Sequence, residues 1–457
     1  MRHLKYVTAL GMVLATSPAF AVTFDQFTPL AASVAAGSLP EDKPFELSNP
    51  NFTQRTLNAN DLGPQNGGVK LGDNWDMNTL NETGPDAGRF LFTPYETSAA
   101  GVRRLNVATG QAETIVAEGA QGFVAGDASR WTPFGTYLTA EESWGAGSTK
   151  GRLFEVTSPL AAAGSTGFVE RTILPRVSHE GLAFDADNNM YFIDEFNSGS
   201  IYKYVSSTPT TGTTFFSAGE TFVLKTAAAG SDAIGAATWV KITNADGTAV
   251  NAAANVVIDG QTYVDGRVAA DLAGGSDYNR PEDLEIKTVN GEQKLYFAAT
   301  ASSTAGAGAV FAIGLTDATN ANVTLFANRD TLKTGTGAAL GLEFQSPDNL
   351  AIDGVGNIYI IEDQPGGSAD IWFAYDIDFD GVAESLGRWA SLSTVGAEPT
   401  GLYFDPFRSN VAYVNVQHAT SDIDRTIIIE AVPEPVTIGL LLGGLGMLGG
   451  MAKRRRA

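Results

Sequence analysis

The sequence contains no cysteine and only three histidines among its 457 residues. The absence of cysteine excludes a disulfide framework and thiolate metal ligands. The scarcity of histidine leaves no convincing Ser/His/Asp arrangement for nucleophilic catalysis. A metal site in this chain would therefore depend mainly on oxygen ligands such as carboxylates, which suit hard cations like Ca²⁺.

Basic residues are also scarce, since 29 Lys and Arg face 51 Asp and Glu and give a formal net charge of −22 at pH 7. A surface of this charge repels nucleic acid and anionic lipid, so no nucleic-acid partner is expected. No glycine-rich loop lies in the strand–loop–helix context that nucleotide binding requires. The charge is instead typical of a secreted protein, and of one that collects Ca²⁺ on clustered carboxylates.

The N-terminus has the three parts of a secretory signal peptide. Residues 1–21 begin with the basic residues Arg2 and Lys5, continue through an apolar stretch and end in an Ala-Phe-Ala cleavage site. We therefore expect residues 1–21 to be removed on export, and the folded body to lie outside the cytoplasm.

The C-terminal residues 432–457 combine a Pro-Glu-Pro motif, an apolar Gly-rich segment of about 17 residues and a final basic cluster. This pattern resembles the PEP-CTERM sorting tail of exopolysaccharide-producing Gram-negative bacteria. The resemblance implies transient anchoring in the inner membrane by a C-terminal transmembrane helix, processing by an exosortase-type enzyme, and then a place in the periplasm, on the cell surface or in the medium. A plain C-terminal membrane anchor is the alternative.

A strand–turn–strand unit recurs along the body of the chain. In residues 346–363, an alternating stretch around Leu350 leads into a Gly-Val-Gly-Asn turn and an apolar return strand, which predicts a β-hairpin with an acid near each end. Similar units occur at 179–195, 281–298 and 399–418. A unit that recurs at irregular spacing is the signature of propeller blades with variable insertions.

We predict an all-β fold, namely a single β-propeller with six blades. The propeller spans residues 86–431, with an N-terminal extension at 22–85 that packs on it and an inserted segment at 206–277 rich in small residues. Equivalent strand ends of a propeller meet around one axial channel. The acids that open the repeats should therefore converge at one mouth, where they would repel strongly unless cations neutralise them. The six openings are Glu96, Glu141, Glu180, Glu282, Asp348 and Glu398.

Five stretches of the body resemble the PhoX family of secreted alkaline phosphatases. That family consists of calcium-dependent β-propellers with an iron–calcium cluster on the axis, so the resemblance implies this fold and phosphatase activity. The stretches follow the family's order: TPFGTYLTAEE at 132–142, VSHEGLAFD at 177–185, NRPEDLEI at 279–286, SPDNLAID at 346–353, and the segment from EPTGLYFDP to NVQH at 398–418.

The resemblance also implies roles for individual residues. Glu180 and Glu282 would ligate metal, and Asp348 and Asn349 would add hard oxygen ligands. Arg280 would hold phosphate, because its guanidinium fork matches phosphate oxygens. Arg280 and Asn349 are thus the candidate catalytic residues. The remaining carboxylate candidates for metal are Glu96, Glu141, Glu142 and Glu398.

The sequence departs from the family at two positions. Ala140 stands where the phosphatases have a cysteine that binds iron, and Tyr95 stands before Glu96 where they often have histidine. Loss of the soft, anionic thiolate disfavours iron and leaves an all-oxygen site that favours Ca²⁺ or Mg²⁺. We therefore expect Ca²⁺ as the cofactor.

Three functions remain open. The first is hydrolysis of small phosphate monoesters, with cations clamping the phosphoryl oxygens and Arg280 stabilising the charge that builds on them. The second is a non-catalytic, Ca²⁺-stabilised extracellular propeller that binds matrix or polysaccharide. The third is a Ca²⁺-dependent lactonase or esterase. The intact motifs around Arg280 and Asp348 favour the first, whereas the missing cysteine favours the second.

Overall fold

The computed structural model describes residues 23–300, 308–363 and 369–432. These residues form 31 β-strands, one α-helix and five single-turn 3₁₀ helices, which confirms the all-β class. No helix within these ranges is long and apolar enough to cross a membrane. The predicted signal peptide at 1–21 and the predicted sorting tail from 433 onward lie outside the described residues.

Six antiparallel blades of four strands each make up the body. Two strands precede the first blade: β1 (Phe45–Leu47) and β2 (Phe52–Ala59). Blade 1 consists of β3 (Thr79–Leu80), β4 (Phe90–Pro94), β5 (Val102–Asn106) and β6 (Ala112–Val116). Blade 2 consists of β7 (Gly126–Trp131), β8 (Tyr137–Glu141), β9 (Leu153–Val156) and β10 (Phe168–Glu170). Blade 3 consists of β11 (Leu182–Phe184), β12 (Met190–Ile193), β14 (Ile201–Ser206) and β15 (Gly219–Thr226), with the short β13 (Asn197–Gly199) between them.

Further elements separate blade 3 from blade 4. They are β16 (Gly235–Lys241), β17 (Asn255–Ile258), β18 (Gln261–Val264), α1 (Gly266–Ala273) and β19 (Tyr278–Asn279). Blade 4 consists of β20 (Pro281–Val289), β21 (Glu292–Ala299), β22 (Ala309–Leu315) and β23 (Asn320–Ala327). After β24 (Leu332–Lys333), blade 5 consists of β25 (Pro347–Ile352), β26 (Ile358–Glu362), β27 (Asp370–Tyr375) and β28 (Ser385–Leu392). Blade 6 consists of β29 (Glu398–Phe404), β30 (Val411–Gln417), β31 (Arg425–Ala431) and β2. The 3₁₀ helices are Pro64–Asn66, Ala120–Gly122, Gly212–Thr214, Ala252–Ala254 and Gly341–Glu343.

The blades form a ring because their first strands contact one another in chain order. β3 contacts β7, β7 contacts β11, β11 contacts β20, β20 contacts β25, and β25 contacts β29. The ring closes between blades 6 and 1, where the Asn78 amide donates to the Gly401 carbonyl (2.9 Å) and Thr400 Oγ1 donates to the Trp75 carbonyl (3.0 Å). The six-bladed propeller predicted from the repeats is therefore confirmed.

The N-terminal segment forms part of the blades. β2 pairs with β31 as the outer strand of blade 6, and β1 pairs with β28 at the edge of blade 5. The last blade thus combines strands from both ends of the described chain, so the ring cannot open there without breaking an antiparallel ladder.

The segment at 206–277 elaborates blade 3. It supplies the outer strand β15, and β16 pairs with both β15 and β23, which joins blades 3 and 4 into one nine-stranded sheet. The β17–β18 hairpin and α1 follow. The carboxylate of Asp265 caps α1 by accepting a hydrogen bond from the Val268 backbone amide (3.1 Å). This cap determines where the helix starts, and hence where Arg267 in its first turn points.

The apolar core is divided into layers between neighbouring blades. Between blades 3 and 4, for example, Tyr191 and Ile193 pack with Leu295 and Phe297. Each large apolar side chain buried in this way contributes roughly 1.5–3 kcal/mol. The aromatic residues therefore serve mainly to hold the blades together, with ring pairs in edge-to-face and stacked arrangements.

A β-bulge interrupts the pairing near the start of the first strand in blades 2, 4, 5 and 6. The bulge releases backbone groups from the ladder, and side chains of the preceding blade bind two of them. Asp283 Oδ2 accepts a hydrogen bond from the Leu350 amide (3.0 Å), and Asn349 Oδ1 accepts one from the Gly401 amide (2.7 Å). The structure thus places Asn349, a predicted catalytic residue, in a buried bond between blades 5 and 6.

We expect Asn349→Ala to lower the free energy of unfolding by roughly 1–3 kcal/mol, because the buried Gly401 amide would lose its acceptor. Urea denaturation measures this change. The exposed Asn244 offers a control, since Asn244→Ala should change stability by less than about 0.5 kcal/mol. An unchanged unfolding midpoint in Asn349→Ala would contradict the structural role.

Candidate metal centre on the propeller axis

Acidic side chains from different blades meet at one end of the axial channel. Glu180, Glu282 and Asp348 place carboxylate oxygens within 4.8 Å of one another, and Asp127, Glu142 and Glu180 do the same. Glu180 belongs to both groups, so the five residues form one continuous cluster from blades 2, 3, 4 and 5. We call these five residues the axial cluster.

The antiparallel hairpin of each blade explains this convergence. The first strand starts where the second strand ends, so both positions face the same mouth of the channel. Asp127, Glu282 and Asp348 are the second residues of β7, β20 and β25, whereas Glu142 directly follows β8. Residues that follow the other second strands lie at the same mouth, namely Glu96, Glu195, Thr300, Asp363 and His418.

The predicted openings of blade 1 at Glu96 and of blade 2 at Glu141 are wrong in position. Glu96 follows β4 and Glu141 ends β8, whereas these blades open at β3 and β7. The Glu141 carboxylate is fully buried and pairs with Arg152, whose Nη2 lies 2.5 Å from Oε1 and whose Nε lies 2.9 Å from Oε2. Successive residues of a strand point to opposite sides, so Glu142 reaches the axial cluster and Glu141 does not. Asp127 is the ligand candidate that the repeat pattern missed.

Glu96 and Glu398 lie beside His418 at the same mouth. Glu398 Oε1 is 2.7 Å from His418 Nδ1 and accepts a hydrogen bond from Gln417 Nε2 (3.1 Å), while Glu96 Oε2 is 4.0 Å from His418 Nε2. Burial opposes ionisation of Glu398, but hydrogen bonds led by that from His418 lower its pKa to about 2. The same hydrogen bond raises the pKa of His418. The structure therefore places the His418 ring against both of these predicted ligands.

Arg280 borders the axial cluster. Its Nε donates to Glu195 Oε1 (2.5 Å), and its Nη2 lies 3.2 Å from Glu282 Oε1. The side chain is 37% exposed, so the guanidinium faces the channel mouth as well as the carboxylates. Although burial opposes it, the charge of Glu282 and Glu195 raises the pKa of Arg280, which keeps the group cationic.

The axial cluster is electrostatically unfavourable without a cation. Burial, followed by mutual repulsion, raises the pKa of Glu180 and Asp348 well above its usual range. Asp127 Oδ1 is buried and has no hydrogen-bond partner in the described part of the chain. A divalent cation would neutralise the repelling carboxylates and give Asp127 Oδ1 a partner. The five donors are all hard oxygens of the kind that Ca²⁺ and Mg²⁺ prefer. Ala140 is fully buried in the apolar layer with Leu138, so this position supplies no donor atom.

An ion pair lies at the opposite end of the channel. Arg130 of blade 2 lies across from Glu285 of blade 4, with Nη2 and Oε1 2.6 Å apart, and its Nε donates to the Leu182 carbonyl of blade 3. Both side chains are mostly buried.

A third group of carboxylates, Asp376, Asp378 and Asp380, lies in the loop between β27 and β28. Because β27 runs away from the mouth of the axial cluster, this loop is on the other face of the propeller. Lys287 Nζ lies 3.8 Å from Asp376 Oδ2 and supplies positive charge there.

In the metal-free protein, stability should fall as the pH rises from about 5 to about 9. Burial is the main cause that raises the pKa of Glu282 and of Asp363 to about 8. A carboxyl group whose pKa is higher in the folded than in the unfolded chain contributes its full stabilisation below the unfolded pKa. That stabilisation is lost as the pH rises through the folded pKa. Melting temperatures of the chelated protein across this range test the sign. A higher melting temperature at about pH 9 than at about pH 5 would contradict this prediction. Saturating Ca²⁺ should make the melting temperature less dependent on pH.

Several proteins of known structure are similar to this chain. An aldose sugar dehydrogenase from Streptomyces coelicolor, solved with bound PQQ, is 12% identical over 83% of this chain and 98% of that chain, with a TM-score of 0.39. A polysaccharide lyase of family PL25, an ulvan lyase, is 8% identical over 78% of this chain and 93% of that chain, with a TM-score of 0.36. No curated protein matches the sequence. The model of the family described as alkaline phosphatase PhoX matches residues 98–420, which is more than half of the chain. The chain therefore belongs to the PhoX family of alkaline phosphatases.

Proposed function

We propose that this protein is an exported, Ca²⁺-dependent phosphatase that hydrolyses small phosphate monoesters at the axial cluster. The observation that carries the proposal is the position of Arg280 beside five convergent carboxylates, with its Nη2 3.2 Å from Glu282 Oε1. A cationic fork next to a cation-binding cluster is the arrangement that a phosphate dianion requires. Membership of the phosphatase family supports the same reaction.

The site residues have two roles, metal binding and phosphate binding. Asp127, Glu142, Glu180, Glu282 and Asp348 would hold the metal. When bound, Ca²⁺ would supply positive charge against the phosphoryl oxygens.

Arg280 would bind the phosphate and stabilise the negative charge that develops on it. Glu195 holds the Nε of Arg280 (2.5 Å), so the guanidinium is oriented before substrate arrives. Pre-orientation of this kind lowers the entropy lost on binding.

The decisive experiment combines metal analysis with an activity assay of the mature protein. We expect bound Ca²⁺, and turnover of p-nitrophenyl phosphate that stops on chelation and returns with added Ca²⁺. Bis-p-nitrophenyl phosphate, a diester, should be a poorer substrate, and a lactone should not be hydrolysed. Turnover of the lactone alone would favour the lactonase alternative.

One observation favours a second candidate, a Ca²⁺-stabilised propeller without catalysis that binds matrix or polysaccharide. Ala140 places a methyl group in an apolar layer where the resemblance assigns a metal-binding thiolate. Bound Ca²⁺ without turnover of any phosphoester would support this candidate, and polysaccharide pull-down would then test its ligand.

We also propose that residues 1–21 direct export and that residues 432–457 anchor the chain transiently in the inner membrane, for processing by an exosortase-type enzyme. Family membership supports export. Mass spectrometry of the protein from the cell surface or the medium tests both cuts, since the mature chain should lack residues 1–21 and the final basic cluster.

A further inference from the structure

The ion pair between Arg267 and Asp194 lies next to the axial cluster without belonging to it. Arg267, in the first turn of α1, donates from Nε to Asp194 Oδ2 (2.8 Å) and from Nη2 to Asp194 Oδ1 (2.7 Å). The Asp194 side chain is fully buried, and that of Arg267 is 17% exposed. Two parallel bonds of this kind hold both partners in one orientation.

Asp194 transmits this constraint to the chain around Glu180 and Glu195. Asp194 Oδ1 also accepts a hydrogen bond from the Ser178 amide (3.0 Å), and the Ser178 carbonyl accepts one from the Glu195 amide (2.8 Å). Ser178 is two residues before Glu180 in the axial cluster. The Arg267–Asp194 pair therefore holds the backbone from which Glu195 projects.

Phe196 connects the same ion pair to Arg280. The Arg267 guanidinium lies 3.7 Å from the centroid of the Phe196 ring, a close cation–π contact. The Phe196 carbonyl accepts a hydrogen bond from the Arg280 amide (3.2 Å), and Glu195 Oε1 accepts one from Arg280 Nε (2.5 Å). Arg280 has a φ of +48°, which is unfavourable for a residue with a Cβ and persists only where neighbours enforce it.

Arg267 also reaches blade 2. Its Nη1 lies 3.5 Å from the carbonyl oxygen of Trp144, two residues after Glu142, and Trp144 Nε1 donates to the carboxylate of Asp265 (3.3 Å). The Arg267 side chain thus contacts the chain segments that carry site residues of blades 2 and 3. Phe196 connects it to Arg280.

We propose that Arg267 is a positioning residue for phosphate recognition: it holds the 194–196 segment so that Glu195 presents Arg280 to the phosphate. This inference rests on the proposed function, which assigns phosphate to Arg280. In the described part of the chain, the hydrogen bonds and the cation–π contact of its side chain are with Asp194, Trp144 and Phe196, none of which belongs to the axial cluster. Loss of Arg267 should therefore affect phosphate affinity and leave Ca²⁺ binding intact.

The test uses inorganic phosphate as the probe, titrated calorimetrically into the Ca²⁺-loaded mature protein. Arg267→Gln should weaken phosphate binding roughly tenfold or more, because a misplaced binding group loses most of its contribution. The Ca²⁺ stoichiometry should not change.

Arg171→Gln is the matched control. Arg171 pairs through Nε with the buried Glu155 (2.7 Å) and lies over the Phe216 ring at 5.3 Å, but it follows β10 on the outside of blade 2. This variant should keep full phosphate affinity even where its melting temperature falls as much as that of Arg267→Gln.

A double variant separates positioning from a general structural role. If Arg267 acts through Arg280, then Arg267→Gln combined with Arg280→Ala should bind phosphate no more weakly than Arg280→Ala alone. Additive losses, or full affinity in Arg267→Gln, would overturn the inference and leave the proposed function standing. No phosphate binding by the unsubstituted Ca²⁺-loaded protein would overturn both. Should Arg267→Gln fail to fold, Arg267→Lys keeps the charge, loses the fork and should give an intermediate affinity in the same titration.

Discussion

Replacement of Arg280 by alanine is expected to lower kcat/KM for p-nitrophenyl phosphate by about a hundredfold or more. The guanidinium is held by Glu195 and lies 3.2 Å from Glu282, so its position is set before substrate binds. Negative charge spreads over the phosphoryl oxygens in the transition state, and a pre-positioned cation stabilises that charge most strongly. Initial rates at saturating Ca²⁺ measure the effect.

Two further variants make the Arg280 result specific. Arg280→Lys retains the charge but loses the planar fork, so its rate should fall between those of the unsubstituted protein and Arg280→Ala. Arg89 forms an exposed ion pair with Asp86 (2.9 Å) on blade 1, and Arg89→Ala should leave the rate unchanged. Full activity in Arg280→Ala would remove this residue from the mechanism.

Chelation of the loaded protein is expected to lower its melting temperature by roughly 3 °C for each Ca²⁺ site that was saturated a hundredfold above its dissociation constant. The physical reason is the axial cluster, in which five carboxylates share buried space and Asp127 Oδ1 has no partner in the described part of the chain. Removing the cation leaves their repulsion unopposed. Differential scanning calorimetry before chelation, after chelation and after Ca²⁺ is restored measures the change.

Two neighbouring acids provide a matched test of this explanation. Glu142→Gln should weaken Ca²⁺ binding and, at alkaline pH, raise the melting temperature of the metal-free protein, because one repelling charge is gone. Glu141→Gln should leave Ca²⁺ affinity unchanged but destabilise both forms, because Arg152 would lose its buried partner. A chelated protein with an unchanged melting temperature, or equal effects of the two substitutions, would contradict a metal site at the axial cluster.

Most of the fold was predictable because its signals are local. Alternating strands, Gly-rich turns and a recurring hairpin are properties of short segments, and their recurrence at irregular spacing indicates the blades of a propeller. The convergence of Glu180, Glu282 and Asp348 was predictable for the same reason, since residues at equivalent positions of equivalent blades must meet on the axis.

Other features depend on register and on contacts between distant segments. Glu141 and Glu142 are indistinguishable as sequence letters, and only the pairing of β8 decides that the first binds Arg152 and the second reaches the axis. Asn349, a predicted ligand, accepts a hydrogen bond from the Gly401 amide, which a bulge in the next blade makes available, and nothing in the sequence indicated this contact.

By itself, the sequence determined the class of fold, the number of blades, the lack of thiolate ligands for any metal site and the position of Arg280 two residues before Glu282. Composition and local periodicity are sufficient for these properties. The tertiary structure alone decided that Glu142 rather than Glu141 joins the site, that Asp127 belongs to it, and that Arg267 pairs with Asp194 beside it. These features depend on contacts between residues that are far apart in the sequence. Such contacts form only when the blades have closed into a ring.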